Sequence, residues 1–200
     1  MAALSGAVAL SACTSHASTT STTGGVATTG TSSSGTSTSS SSSSTIPPGS
    51  ACAARVLDAT VTGTSGAAGT FEVTFALRNT STTACPMNGF PGIQLVGGSG
   101  AQLATHVVSG GNYQFTNFAP SPVMLGAGAT ANFNLAYSDV PVGTEASCPA
   151  VAQVQVTPPH ASDHDTVPVQ WTVCGGGTVT VSPVFGAGSP GSQTTAPPQH

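Results

Sequence analysis

From Thr70 to Arg78 the chain alternates strictly, with Phe71, Val73, Phe75 and Leu77 on one side and Glu72, Thr74, Ala76 and Arg78 on the other. A period of two belongs to an extended strand with one buried face, and it excludes a helix, whose apolar stripe returns every three to four residues. The same alternation runs through Ala131, Phe133, Leu135 and Tyr137, through Ala152, Val154 and Val156, and through Val167, Val169, Trp171 and Val173. Val179 and Val181 follow after Gly175-Gly176-Gly177, and this spacing predicts a hairpin with the preceding run. Shorter strands are expected over 56–61, 93–96, 102–108 and 123–125. Gly, Pro, Asn and Ser clusters separate all these runs, and no segment sustains a helical period.

About eight short strands at such spacing predict an all-β domain over residues 51–186, built as two antiparallel sheets packed face to face, with a closed barrel as the alternative. Phe71, Phe75, Phe133 and Trp171 are expected in the middle of the shared core rather than on an exposed platform for sugars, each burying about 150–250 Å².

The cysteines are Cys13, Cys52, Cys85, Cys148 and Cys174, with no Cys-x-x-Cys pair among them. That spacing is poor for zinc and suits one separate thiol plus two disulfides, which implies an oxidising compartment. The four cysteines of the domain allow three pairings, and the sequence does not choose among them. The sequential one, Cys52 with Cys85 and Cys148 with Cys174, is the expectation favoured here. Each bridge would close a loop worth about 3–4 kcal/mol in chain entropy.

Residues 1–12 form a short apolar run ending in Leu10-Ser11-Ala12 directly before Cys13, the pattern of a lipobox. Residues 1–12 are therefore expected to be a signal peptide and Cys13 the lipidated residue that holds the mature chain to the membrane. No Lys or Arg precedes the run, so an upstream start that adds a basic segment is expected. From there to Ser50 the chain is nearly all Ser, Thr, Gly and Ala, with Pro47-Pro48 before the domain. Residues 13–50 are thus expected to be a disordered tether behind the lipidated cysteine, and a candidate for O-glycosylation, with residues 187–200 a flexible tail.

Two arginines, Arg55 and Arg78, are the whole basic complement, against six acids and no lysine. A chain that tracks a nucleic-acid backbone needs several cations to displace counterions, so nucleic acid is excluded as a partner, as is a polybasic membrane patch.

The segments Leu77-Arg78-Asn79-Thr80, Cys85-Pro86-Met87-Asn88-Gly89-Phe90-Pro91-Gly92, Gln94-Leu95-Val96 with Gly100, and Leu125-Gly126-Ala127-Gly128 resemble an actinobacterial family of secreted proteins and lipoproteins, a domain of unknown function (the 4232 family). Cys148-Pro149, Pro158-Pro159 and the stretch from Cys174 to Pro183 extend the resemblance across the domain. The resemblance implies an immunoglobulin-like sandwich behind a lipobox and tether, and no activity. Gly89 and Gly92 flank Phe90-Pro91 as a tight corner would require, with Phe90 expected to plug the core edge; an exposed binding loop is the alternative.

Candidate chemistry is sparse. His160, Asp163, His164 and Asp165 cluster after Pro158-Pro159 and are the candidate metal ligands, although a solvated loop is the simpler reading. No Gly-x-Ser-x-Gly elbow occurs, His106 has no acid near it in sequence, and the six acids form no evident couple. His16 and His200 fall in the expected flexible ends. Asn79-Thr80-Ser81 fits the N-glycosylation pattern. These features predict no cofactor and no catalysis. The expected role is a lipid-anchored module outside the membrane that binds an envelope protein or glycan. A purely structural surface protein is the second reading, and a metal-dependent hydrolase using residues 160–165 the third.

Overall fold

The computed structural model describes residues 50–111 and 118–187. The expected signal peptide, Cys13, His16, all of the tether but Ser50, all of the tail but Ala187, and His200 lie outside these residues. Ten strands carry the described chain: β1 (Leu57–Ala67), β2 (Thr70–Asn79), β3 (Cys85–Met87), β4 (Gly92–Val96), β5 (His106–Ser109), β6 (Val123–Leu125), β7 (Thr130–Ser138), β8 (Ala150–Thr157), β9 (Asp165–Thr172) and β10 (Thr178–Val181). A large sheet has the order β1-β2-β7-β10-β5, a small sheet the order β4-β8-β9, and β3 with β6 forms a separate ribbon. The fold is all-β with two disulfides, Cys52–Cys85 and Cys148–Cys174.

The period-two faces explain why the sheets stack. Val73, Phe75 and Leu77 of β2 and Ala131, Phe133 and Leu135 of β7 are buried together with Val154 and Val156 of β8, in one core. Phe75 and Phe133 stack at 4.8 Å in its middle, and at about 25 cal/mol per Å² each such ring contributes several kcal/mol. Phe71 and Trp171, expected beside them, instead pack partly exposed at the rim. Trp171 reaches across from the small sheet to stack on Tyr137 at 4.9 Å, and Tyr137 stacks on Phe71 at 5.2 Å.

Three expectations need correction. The run from Val167 to Val173 does not form a hairpin with Val179 and Val181: β9 pairs with β8 in the small sheet, and β10 pairs with β7 in the large one. Gly175, Gly176 and Gly177 all have positive φ, and they carry the chain from one sheet to the other. A Cβ on Gly177 would also land on the Ala104 carbonyl, so glycine is required there twice over. The sheets are not purely antiparallel either, because β10 also pairs in parallel with β5. Only His106–Ser109 of the expected strand over 102–108 joins that ladder, while Gln102 makes an isolated bridge to Val96.

Register defines two ends. At one, Leu57 faces Asn79, Gly92 faces Thr157, and Asp165 faces Val156; the Asp165 carboxylate accepts the Ala59 amide at 2.8 Å and joins β9 to β1. Cys52–Cys85 lies here, because the Cys52 amide bonds the Pro86 carbonyl and β1 begins a few residues later. At the other, Ala67 faces Thr70, Thr70 faces Ser138, and the Cys174 amide donates to the Ser138 carbonyl at 2.8 Å. The disulfides therefore staple opposite ends of the sandwich.

Candidate functional site

The loop holding the expected metal ligands does something else. The Asp163 carboxylate accepts the amides of Ala54 and Arg55, both at 3.1 Å, and pairs with the Arg55 guanidinium at 3.5 Å. Burial opposes its ionisation, but the amides of Arg55, Ala54 and Asp163 and the Arg55 charge outweigh it, so the carboxyl sits below its ordinary value. Asp165 splits its oxygens between the Ala59 and Thr166 amides. His160 and His164 are exposed, and His160 adopts φ 63° in the turn. The four residues do not converge as a ligand set. Asp163 and Asp165 instead clip the chain before and within β1 onto the small sheet.

A carboxylate that the sequence did not single out does the same at the other end. Glu145 accepts the amides of Val142 at 2.9 Å, Gly175 at 3.0 Å and Gly176 at 2.7 Å. These backbone bonds hold its carboxyl below the ordinary range. Among the described residues, Glu145, Cys148 and Cys174 form the one group whose ligand atoms lie within 4.8 Å of one another. Both sulfurs are joined to each other, however, so no thiolate is on offer to a metal. No sequence signal pointed to this clip except the run of glycine amides, since its glycine partners lie 30 and 31 residues away.

Other candidates resolve as structure. Asn79, first residue of the glycosylation pattern, is fully buried and donates to the carbonyls of Thr83 at 2.9 Å and Leu125 at 3.0 Å. In the Gly-Phe-Pro-Gly corner Gly89 takes φ 108°, whereas Gly92 begins β4 in ordinary strand geometry, and Phe90 packs partly buried against the core. The Gly89 carbonyl accepts the Val184 amide at 2.9 Å, so the corner is tied into the fold. His106 is exposed on the edge strand β5. Among the described residues, the Arg55–Asp163 contact is the one ion pair.

What the molecule does present is a cavity of about 400 Å³ at the Cys174 end of the small sheet, lined by Gly98, Ala150, Val151, Ala152, Val169, Gln170, Trp171 and Thr172. It coincides with a break in the β8–β9 ladder. Val151 pairs with Trp171 but Gln153 pairs with Pro168, so Ala152 faces two residues, Val169 and Gln170. Such a bulge bends a strand and re-aims its side chains. Gly98, Ala150 and Ala152 add almost no volume of their own, and Gly98 has open space where a Cβ would stand. Beneath Trp171 lies Tyr137, whose phenol is pushed up to about 12 by burial and, secondarily, by the Asp139 carboxylate. The lining carries no charged side chain, and its polar groups are those of Gln170 and Thr172. Trp171, expected in the middle of the core, is partly buried and lies beside the bulge.

Comparison with known proteins finds no matching curated protein and no matching solved structure. The model of a family described as a domain of unknown function (DUF4232) matches residues 52–185, from the first cysteine of the sandwich to the residue that bridges back to Asn132. With two thirds of its length covered by that match, the chain belongs to the DUF4232 family.

Proposed function

We propose that the chain is a lipid-anchored extracytoplasmic envelope protein whose sandwich is a non-catalytic binding module. The observation that carries the reading is the cavity beside Trp171, a concave, charge-free surface on rigid strands, of the size small ligands or ligand fragments occupy. Asp163 and Asp165 at the far end of the sandwich and Glu145 at the near one are engaged otherwise, each accepting backbone amides. The Leu-Ser-Ala-Cys run supports lipidation at Cys13, and two disulfides suit an oxidising compartment. The Ser/Thr-rich tether would then lift the sandwich from the membrane, at a span of about 5–6 Å times the square root of its length. The sandwich is read as immunoglobulin-like on the strength of two sheets sharing one core, with its loops gathered at the two ends.

The test uses the full chain and its Cys13→Ser variant. The parent chain should take up labelled palmitate and partition with membranes, and Cys13→Ser should do neither. Fluorescent Cys13→Ser protein added to intact cells lacking the native copy should bind saturably and be displaced by unlabelled protein. Label incorporated without Cys13, or cell binding that neither saturates nor competes, would overturn the proposal.

A further inference from the structure

The outward face of the small sheet carries hydrogen-bonding capacity without charge. Gln153 and Gln155 of β8 and Thr166, Gln170 and Thr172 of β9 point away from Val151, Val154, Val156 and Val167, which enter the core. Gln155 faces Thr166 and Gln153 faces Pro168 across the ladder. Asp165 is the one ionisable residue in β4, β8 and β9, and its two oxygens are turned onto the Ala59 and Thr166 amides. The large sheet differs, for its outward positions include Glu72 and Arg78. The charge-free face runs directly into the cavity, whose lining includes Gln170 and Thr172 of that face.

We infer that this face and cavity form a binding site for a neutral polysaccharide, a proposal that rests on reading the sandwich as a binding module. Side-chain amides and hydroxyls both donate and accept, as sugar hydroxyls do, and with no ion to desolvate a neutral chain can be laid on the face at low cost. The cavity receives one sugar unit between Gln170 and Thr172, in the space left by the small side chains of Ala150 and Ala152. Anionic ligands lack a partner here. Arg55 is paired with Asp163 at the opposite end, and Arg78 stands on the other sheet, so no cation meets a carboxylate or phosphate. The missing side chains of Gly98, Ala150 and Ala152 form the recess, which gives each of them a purpose that sheet packing alone does not.

The experiment is affinity electrophoresis of the full-length Cys13→Ser chain through gels containing dextran, mannan or laminarin, with alginate as the anionic comparison. At least one neutral polysaccharide should retard the protein. Gln170→Glu and Ala152→Glu, both placed to bring charge into the recess without touching the core, should weaken that retardation at least tenfold while leaving the melting temperature within a few degrees. Arg78→Ala, on the other sheet, should leave it unchanged. Retardation by alginate alone, by none of the gels, or equally for the parent chain and both glutamate variants would overturn the inference. Saturable cell binding together with failure in every gel would remove the ligand class and leave the module standing. Failure of both would remove both.

Discussion

The two ends of the sandwich are stapled alike and built differently. Cys52–Cys85 is buried on both sides, at 0% and 2% exposure, and is surrounded by Asn79, Leu125 and the Asp163 and Asp165 clips. Cys148–Cys174 has one buried and one half-exposed member, and beside it lie the Glu145 clip, the exposed Val140 and Val142, and a ladder broken by a bulge. Loop entropy alone would make the bridges nearly equal, since they close separations of 33 and 26 residues. The difference lies in what surrounds each one. The first end is closed by packing and buried hydrogen bonds, and the second leaves room for a ligand.

The largest expected effect sharpens that contrast. Replacing Cys52 and Cys85 by alanine should lose about 3–4 kcal/mol of loop entropy plus about 1–2 kcal/mol from buried volume, whereas the Cys148, Cys174 pair should cost about 3 kcal/mol or less. Urea melts of the two double variants measure this. Graded reduction followed by thiol labelling should open Cys148–Cys174 first. Equal losses and simultaneous opening would erase the distinction between the ends.

Next is Asn79→Ala, expected to cost about 2–4 kcal/mol because it orphans the buried Leu125 carbonyl and unties the Thr83 turn. A loss under about 1 kcal/mol in the same melts would mean that water replaces the side chain and that this end is less closed than described.

Acid should act in opposite senses through Asp163 and Glu72. Asp163 is held below its ordinary value, so its contribution is present above the unfolded-state pKa and fades as pH falls through the folded one. Asp163→Asn should therefore cost about 1 kcal/mol at neutral pH, chiefly from the amide bonds because the exposed Arg55 pair is screened, and nothing in strong acid. Glu72, only 7% exposed on β2, is raised by burial, so the folded state holds its proton more tightly than the unfolded one. Its stabilising influence is complete below the unfolded pKa and is lost as pH rises through the folded value. Glu72→Gln should thus raise stability at neutral pH and give a gain that shrinks on acidification. Melting temperatures followed from pH 7 to pH 3 test both signs at once.

The sequence makes some of this plain and conceals the rest for physical reasons. Strands β2 and β7 are legible because each turns one face to the core along most of its length, and β9 because Val167, Val169 and Trp171 share one face, though the last two are only partly buried. β8 loses phase between Val151 and Val154, where the bulge falls, and that slip creates the cavity. Gly175-Gly176-Gly177 reads like a hairpin turn because positive φ is common to tight turns and to crossovers between sheets. Asp163 and Asp165 look like metal ligands since their amide partners are 109 and 106 residues away. The sequential disulfides, the pairing favoured among three, are the ones present, one at each end of the sandwich.

The smallest expected effect concerns the β1–β2 hairpin at the Cys174 end. Ala68 and Gly69 both have positive φ, 51° and 78°, the two-residue turn that matches strand twist. An alanine is strained there, so Ala68→Gly should gain about 0.5–1 kcal/mol in the same urea melts. A loss would show that the turn is set by its contacts and not by backbone preference.

That recognition belongs to the Cys174 end is tested most directly by hydrogen exchange of the full-length Cys13→Ser chain, with and without cell-envelope fragments. The expected result is slowed exchange confined to residues 97–99, 150–155 and 166–172. Slowing in residues 52–56 and 160–165 instead, or none anywhere, would contradict it.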